Sequence, residues 1–446
     1  MSLPPPSTFR ETLRFHALRV PARLCNDAHK ALRPHVLALP HVASVLRADA
    51  TEPALVVLLL RYLAESPATE LRAPPRGNAD AAYVGVEPEV VATRIRETAL
   101  GEKVGGRVAE FVRGVGAGDV IRRDVLLGYE VWGMAAVLRN VLPEGVTVPT
   151  SFETVGHIVH VNLREEHEEY KKVIGAVMLD KLGKRVKTVV NKLESTGGPY
   201  RTFKMEVIAG EPMLETEVKE NGCRFRLNFE KVYWNSRLET EHNRIVTATG
   251  KGEVFVDAFC GIGPFAVPVA KGRRCEKVYA NDLNPDSVKY LKENAKINGV
   301  EGDKFIASCG CAREFLRTLV RDKVAMTRVV MNFPSGAPEF LDVFRGLYDE
   351  ADGLPMPVVH CYCFVKGIEN LSSARDRVRK ALYGDNLQGE MQLRDEDIEI
   401  RDIRNVAPRK QQVCVTFQVP KDVAHRNLDM SDGENPPAAK KLKLAL

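Results

Sequence analysis

From Val254 onward the chain alternates short apolar runs with stretches of helical period, and this alternation narrows the possible folds more than any other feature. The runs are Val254–Val256, Val278–Ala280, Phe305–Ala307, Val329–Met331 and Val358–Phe364, followed by Ile398–Ile400 and Val413–Val419. Buried strands separated by helices imply βαβ units on a mostly parallel sheet. The final two runs have no long helical pattern between them, so a closing antiparallel hairpin is expected at one edge.

The first run ends at Asp257 and is followed by Gly261-Ile262-Gly263. In open α/β sheets ligands sit beyond the carboxyl ends of the strands, and glycines there let a ligand approach the backbone. Ala266 stands where a dinucleotide fingerprint would have its third glycine, and a bare G-x-G is weak evidence. An acid before the glycines repels a pyrophosphate but suits a ligand with a cationic amino-acid end, which points to S-adenosylmethionine rather than NAD. The second run ends Asn281-Asp282-Leu283-Asn284-Pro285. Asp282 can accept both hydroxyls of a ribose, or it is a plain turn residue. Asn284 and Pro285 read as N-cap and first residue of a helix with the stripe Val288, Leu291, Ala295, ended by Asn298-Gly299.

The fourth run ends Asn332-Phe333-Pro334. A side-chain amide at a strand tip both donates and accepts, and Pro334 is expected to leave nearby carbonyls outside helix bonding. The loop suits recognition of a nucleobase edge, although Asn-x-Pro is also a common turn. Upstream, Ser236 and Glu239 have capping-box spacing and predict a helix start. On it, Glu241 has Arg237 four residues before and Arg244 three after. Spacing alone favours a surface salt-bridge ladder over a general base.

The chain has 446 residues, 44% hydrophobic and 28% charged, with a net charge of +5. This composition excludes collagen-like and wholly disordered chains and predicts two to four domains, each able to bury a core. The mild basicity permits an anionic partner without demanding one. No apolar run approaches a membrane span, and the N-terminus has no apolar signal core. Its Arg10, Arg14, Arg19 and Arg23 read as a mitochondrial presequence or, preferably, as a first amphipathic segment. Loose stretches at Pro67–Gly85 and Gly101–Gly118 suggest linkers. The segment Lys181-Leu-Gly-Lys184-Arg185-Val-Lys187, continuing to Lys192, has five basic residues and no acid: a solvated face, or a phosphate-binding surface. Lys171 and Lys172 can add to it. The nine cysteines follow no framework. Cys309/Cys311 and Cys361/Cys363 are spaced C-x-C on expected strand ends, without a second zinc-knuckle pair, so reduced thiols and no metal are expected. The polar tail, ending Lys440-Lys441-Leu442-Lys443, reads as disordered, its lysines a weak nuclear address.

Several blocks, in order, resemble the class I tRNA (guanine-N1)-methyltransferase family of eukaryotes and archaea. They are Gly156-His-Ile-Val-His-Val-Asn162-Leu-Arg164, Tyr170-Lys-Lys-Val-Ile-Gly175, Val190-Asn-Lys192, Tyr200-Arg201-x-Phe203, Lys231-Val-Tyr233-Trp-Asn-x-Arg237-Leu-x-Thr-Glu241-His242, Asp257-x-Phe-Cys-Gly261-Ile-Gly263-Pro-Phe, Asn281-Asp282-Leu-Asn-Pro285 and Met331-Asn332-Phe-Pro334. The resemblance covers about residues 8–420. It implies an α/β fold in which a Rossmann-like class I methyltransferase domain follows an α+β RNA-binding middle domain and a small N-terminal α/β domain. The expected bounds are 1–115 for the N-terminal tRNA-binding domain with its linker, 116–228 for the middle domain, 229–420 for the methyltransferase domain and 421–446 for the tail.

By that resemblance the reaction is methyl transfer from S-adenosyl-L-methionine to N1 of guanosine 37 in tRNA. This supports reading-frame maintenance and, in tRNA-Phe, begins wybutosine synthesis. The family's general base falls on Glu241, its guanine-contacting arginine on Arg201, and its base-positioning loop on Asn332 and Pro334. Tyr233, Arg237, His242, Asp257, Gly261, Gly263, Asp282, Leu283, Cys311, Ala312 and Asn332 are implied in or near the cofactor pocket. Lys181, Lys184, Arg185, Lys187 and Lys192 are implied against RNA. The expected partner is tRNA, through its anticodon loop and L-shaped body. A monomer is expected in cytoplasm and nucleus, with mitochondria as a further compartment. Three positions depart from the family pattern: Cys311-Ala312 replaces Asp-Gly near the adenine, Phe333 replaces Leu, and Ser236 replaces Pro. Two alternatives stay open. One is an aminocarboxypropyl transferase of the wybutosine pathway, and the other is an inactive tRNA-binding protein.

Overall fold

The computed structural model describes residues 9, 11–37, 42–47, 54–63, 87–101, 106–193, 200, 202–272, 275–366, 371–384 and 393–425. Arg201, the whole Pro67–Gly85 stretch and the basic tail lie outside the described residues. The chain forms two compact units. One comprises Met1–Thr154, Ile158–Lys192 and Glu206–Pro212. The other comprises Val155–His157, Leu193–Met205 and Met213–Leu446.

In the first unit, strands β1 (Glu11–Pro21), β2 (Val45–Arg47), β3 (Leu55–Leu63) and β4 (Val120–Leu127) form a sheet in the order β2-β3-β1-β4. Helices α1 (Cys25–Ala31), α2 (Pro88–Gly101) and α3 (Gly106–Arg113) set Ala28, Val91, Ile95 and Val112 into a core shared with Leu18, Val20 and Leu58. A second sheet carries β5 (Phe152–Val155), β6 (Ile158–Val161), β7 (Thr188–Lys192) and β8 (Met205–Gly210) in chain order, with helices α4 (Met134–Val141) and α5 (Lys171–Lys181). The parallel β6–β7 pair is bridged by α5, whose Ile174, Val177 and Met178 recur at helical spacing and pack on Val159, Val161 and Val189.

The second unit opens with the hairpin β9 (Glu215–Glu220) and β10 (Cys223–Asn228). It turns at Asn221-Gly222, both with positive φ, as a tight two-residue turn requires. Helix α6 (Glu239–Ala248) leads into β11 (Val254–Asp257), α7 (Ala266–Lys271), β12 (Lys277–Asp282), α8 (Pro285–Ile297), β13 (Phe305–Cys309), α9 (Ala312–Arg321), β14 (Arg328–Met331), β15 (Val358–Val365), α10 (Leu371–Tyr383), β16 (Glu399–Ala407) and β17 (Lys410–Gln418). The sheet order is β13-β12-β11-β14-β15-β17-β16. The first five strands are parallel, and β17 is antiparallel to both β15 and β16. All seven apolar runs are therefore strands, and the expected hairpin closes one edge. The order reverses between β11 and β14, which opens the ligand crevice of such sheets at the carboxyl ends of those two strands.

Side-chain amides fasten the hairpin to this sheet's helices. Fully buried Asn294 on α8 accepts from the Arg226 amide at 2.7 Å and donates to the Arg226 and Ile262 carbonyls at 3.1 and 3.2 Å. Asn298 repeats the pattern on the Arg224 backbone at 3.0 and 2.7 Å. The two side chains thus serve the exposed edge of β10 as a partner strand would.

Two local expectations are corrected. Asn235, not Ser236, caps the turn before α6, its side chain accepting from the Arg237 amide, because a 3₁₀ turn over Ser236–Leu238 precedes the α-helix. Cys361 and Cys363 lie inside β15 rather than at its end, on the same buried face. All nine cysteines are free thiols. Burial pushes Cys363 up to about 11 and Cys414 up to about 12, so these thiols stay protonated and unreactive. Among the described residues no cluster could hold a metal ion, and no helix is long and apolar enough to cross a membrane.

Candidate functional site

A cavity of about 370 Å³ opens at the carboxyl ends of β11, β12 and β14, within the second unit. Its polar lining includes Asp282, Asn332, Gln412, His242, Asn235 and Ser287, with Tyr200 and Tyr233 beside them. Phe259, Phe333, Phe340 and Phe364 supply an aromatic wall.

The loop after β11 is shaped by backbone geometry. Gly261 (φ +55°) donates its amide to Asp282 Oδ2 at 2.8 Å. Gly263 (φ +95°) also lies so near α8 and α7 that a Cβ would meet Leu291 Cδ1 at 2.7 Å and Val267 Cγ2 at 2.8 Å. Only glycine satisfies both demands. Buried Asn281 donates to the Ala258 and Gly310 carbonyls and so ties the ends of β11, β12 and β13 together.

Two acids occupy the neighbouring strand tips. Asp282 Oδ1 accepts from the Asn284 amide at 2.9 Å, leaving lone pairs on both oxygens toward the cavity it lines. Burial pushes its carboxyl up, against the pull of the Asn284 and Gly261 amides. Asp257 is wholly buried beneath the lining. Its Oδ1 accepts a long 3.4 Å bond from the Phe259 amide, and Oδ2 has no partner. Burial pushes Asp257 well above the carboxylate range, and the charge of Asp282 adds to the effect. Two acids at neighbouring strand tips, with no lysine or arginine among the described lining residues, suit a positively charged ligand and disfavour an anionic one.

Glu241 is 5% exposed and does not line the cavity. Arg244 grips its carboxylate through Nε to Oε2 at 2.8 Å and Nη2 to Oε1 at 2.7 Å, and the buried Tyr362 hydroxyl donates to Oε1 at 2.6 Å. The adjacent His242 does line the cavity, its ring edge-on to Phe265 at 4.5 Å. Its Nδ1 meets Glu220 Oε1 at 2.5 Å, both side chains being 3% exposed.

Of the residues singled out from sequence, Tyr233, His242, Gly261, Asp282, Leu283, Asn332 and Pro334 line one cavity. Gly263 and Asp257 shape and underlie it, while Glu241 is buried one residue from His242. Arg237 is exposed on the turn before α6, and Cys311 and Ala312 begin α9; none of the three is a lining residue. The carbonyls around Pro334 are not left open. Phe333 O accepts from the Gly336 and Ala337 amides, and Pro334 O from the Phe364 amide at 3.1 Å, because the loop folds back into a 3₁₀ turn and onto β15. In the first unit, Lys184, Arg185 and Lys187 are exposed between α5 and β7. Lys181 is absorbed within that unit, its ammonium 3.3 Å from the Tyr129 ring centroid and bonded to the Tyr129 carbonyl. Lys192 is half-buried, and burial lowers its pKa. Sequence reading gave no role to Glu220, Phe259, Phe340, Phe364 and Gln412. Phe259 lies within a recognised block and Phe340 a few residues after one, whereas Glu220 and Gln412 carry no local signal.

A family model described as the TRM5/TYW2 methyltransferase domain matches residues 216–385, and a TYW2 N-terminal domain model matches residues 134–213. A tRNA (guanine(37)-N(1))-methyltransferase of Phytophthora infestans is 36% identical over 435 residues, covering 97% of this chain and 96% of that protein. The Danio rerio protein of the same name is 35% identical, covering 98% of this chain and 86% of its own. The Dictyostelium discoideum protein of that name is 44% identical over 304 residues, or 68% of this chain and 64% of that one. Among solved structures, Trm5b from Pyrococcus abyssi is 25% identical with a TM-score of 0.55, covering 91% of this chain and 99% of that chain.

Proposed function

This chain belongs to the tRNA (guanine(37)-N(1))-methyltransferase family, and from that membership we infer that it methylates N1 of guanosine 37 in tRNA. The observation that carries the reading is a 36% identity sustained over 97% of the chain. The strand-tip acids and the Asn332-Phe333-Pro334 loop then fall on one cavity at the sheet's switch point.

S-adenosyl-L-methionine, when bound, supplies a methyl group on a cationic sulfonium. The residues present fit it: Asp282 has unspent lone pairs for ribose hydroxyls, Tyr233 and Leu283 offer apolar surface, and the buried acids favour its charge. Guanine N1 carries a proton and is a poor nucleophile, so a base must take that proton as the new bond forms. In the family this base corresponds to Glu241, whose carboxylate Arg244 and Tyr362 hold in one orientation. Asn332 holds the base edge in place, and Arg201 stabilises charge growing on O6. The purine must leave the anticodon-loop stack to reach the cavity, and its aromatic wall offers a surface to receive it.

The first unit grips the body of the tRNA, its exposed Lys184, Arg185 and Lys187 meeting phosphates. The domain bounds proposed are 1–115, 116–228 and 229–420, followed by the tail. A structure titled as a complex of aTrm5 and tRNALeu shares the fold (TM-score 0.57, 20% identity) and offers the template for testing that docking. In tRNA-Phe the product would enter wybutosine synthesis. We place the protein as a monomer in cytoplasm and nucleus, to be checked by sedimentation and a fluorescent fusion.

The direct test is incubation with methyl-labelled cofactor and unmodified tRNA, followed by nuclease mapping and mass analysis. One methyl on N1 of guanosine 37 supports the reading. An aminocarboxypropyl adduct, label elsewhere, or no transfer overturns it.

A further inference from the structure

Two side-chain atoms at the cavity have hydrogen-bonding capacity that the protein leaves unused. Asn332 Oδ1 and Gln412 Nε2 are shielded from solvent and have no partner, and both residues line the cavity. Gln412 is 2% exposed, and its Oε1 accepts from Arg404 Nε at 3.3 Å. A guanidinium bonds only to the oxygen, so Arg404 decides which end of the amide is nitrogen. A buried donor without an acceptor is costly, and each such group in a native fold calls for an explanation. Here the cavity itself supplies one.

The sheet order separates these two atoms from the strand-tip acids. Asp257 and Asp282 end β11 and β12, on one side of the switch point. Asn332 follows β14, and Gln412 lies on β17, beyond β15, on the other side. Gln412 is paired with Phe364 across the β15–β17 ladder, and the Phe364 amide bonds the Pro334 carbonyl at 3.1 Å. Gln412 is thereby joined to the Asn332-Phe333-Pro334 loop rather than to the acids. In the same lining Phe259 and Phe333 stack at 5.3 Å, and Phe340 stands edge-on to Phe259 at 5.2 Å, so the cavity offers aromatic surface to a purine.

We propose that Gln412 reads the target base, its Nε2 donating to guanine O6 while Asn332 Oδ1 accepts from the adjacent N–H edge. Guanine presents an acceptor beside donors, whereas adenine presents an amino donor where guanine has O6. Gln412 therefore helps select guanine, and Arg404 is its positioning residue. The proposal rests on the N1-methylation reading above. O6 has two lone pairs, so Gln412 and the arginine assigned to Arg201 can bond it together.

Single-turnover methylation is measured on tRNA carrying guanosine or 6-thioguanosine at position 37, with cofactor affinity followed by calorimetry. Sulfur is a poor acceptor, so the wild type prefers guanosine. Gln412→Met is expected to slow the guanosine reaction about 10–100-fold, the effect of one hydrogen bond to an oxygen gaining charge. It should slow the 6-thioguanosine reaction far less, so that the preference shrinks. Arg404→Met, outside the cavity lining, should produce a smaller shift in the same direction, and cofactor affinity should hold within about threefold of wild type. Equal slowing on both substrates, no slowing, or a loss confined to cofactor affinity overturns the proposal. Failure of the underlying reading would show separately, as a wild-type enzyme that does not methylate guanosine 37.

Discussion

His360 sits on β15, 3% exposed, in the middle of the sheet that carries the site. Its Nε2 accepts from Arg328 Nη1 at 2.7 Å, and its Nδ1–H donates to Thr416 Oγ1 at 2.9 Å, so the folded protein holds one neutral tautomer. Burial, with the charges of Arg328 and Arg244, pushes its pKa from 6.5 down to about 3. Above pH 6.5 the ring is neutral whether folded or unfolded, and stability is unaffected. As pH falls below 6.5 the unfolded ring gains a proton that the folded ring refuses, so stability is lost progressively until about pH 3. At pH 5 the folded ring is still neutral, and the loss is set by the unfolded imidazole alone: about 2 kcal/mol. Asp257 and Asp282, whose pKa values are raised, pull in the opposite direction. The test is therefore a difference, with wild type compared to His360→Gln, which keeps an acceptor for Arg328. Urea unfolding followed through Trp234, in a Trp132→Phe background, should show wild type losing about 2 kcal/mol more than the variant between pH 7 and pH 5. Equal losses would refute the argument.

Other perturbations give equally definite outcomes. Asn294→Leu strips bonds from the Arg226 amide, the Arg226 carbonyl and the Ile262 carbonyl, and at about 1 kcal/mol for each unpaired group it should cost about 3 kcal/mol. A loss below 1 kcal/mol in urea unfolding would mean that water replaces the side chain. Glu241→Gln should leave cofactor affinity near normal in calorimetry but slow single-turnover methylation by about 10²–10⁴, and unchanged turnover would remove Glu241 from the chemistry. Replacing Lys184, Arg185 and Lys187 by Ala should lower the slope of log affinity for tRNA against log salt by about 0.7–0.9 for each phosphate that is no longer neutralised. An unaltered slope would place the RNA elsewhere.

What could be read in the sequence was whatever repeats along one segment. Seven apolar runs named seven strands, and Asn284-Pro285 named a helix start, because strand burial and helix capping are local. The strand tips were legible too, since an acid or amide at the end of an apolar run has few other places to be. Partnerships across the sheet were hidden. Glu220 reaches His242 from a hairpin, and Gln412 enters the cavity through a strand order that no spacing encodes. Glu241 shows both limits at once. Its Arg244 partner three residues on was visible as a ladder, but Tyr362, from the middle of the sheet, turns that ladder into a buried, fixed carboxylate.

That fixation bears on how such a carboxylate can act as a base. Glu241 accepts three hydrogen bonds, from Arg244 Nε, Arg244 Nη2 and the Tyr362 hydroxyl. A carboxylate offers about four lone-pair sites, so one remains, on Oε2. The three donors fix the carboxylate in one orientation. Guanine N1–H is far less acidic than a carboxylic acid, so a carboxylate takes its proton readily only if the charge left behind is met elsewhere. On the proposal above that charge collects on O6 and meets Gln412 Nε2, an unpartnered donor of a cavity-lining residue. Donors already fixed where charge will appear lower the barrier without reorganising during the reaction. On the reading proposed here the base and the O6 donors act as one unit. Removing both should then cost little more than removing the more important one alone.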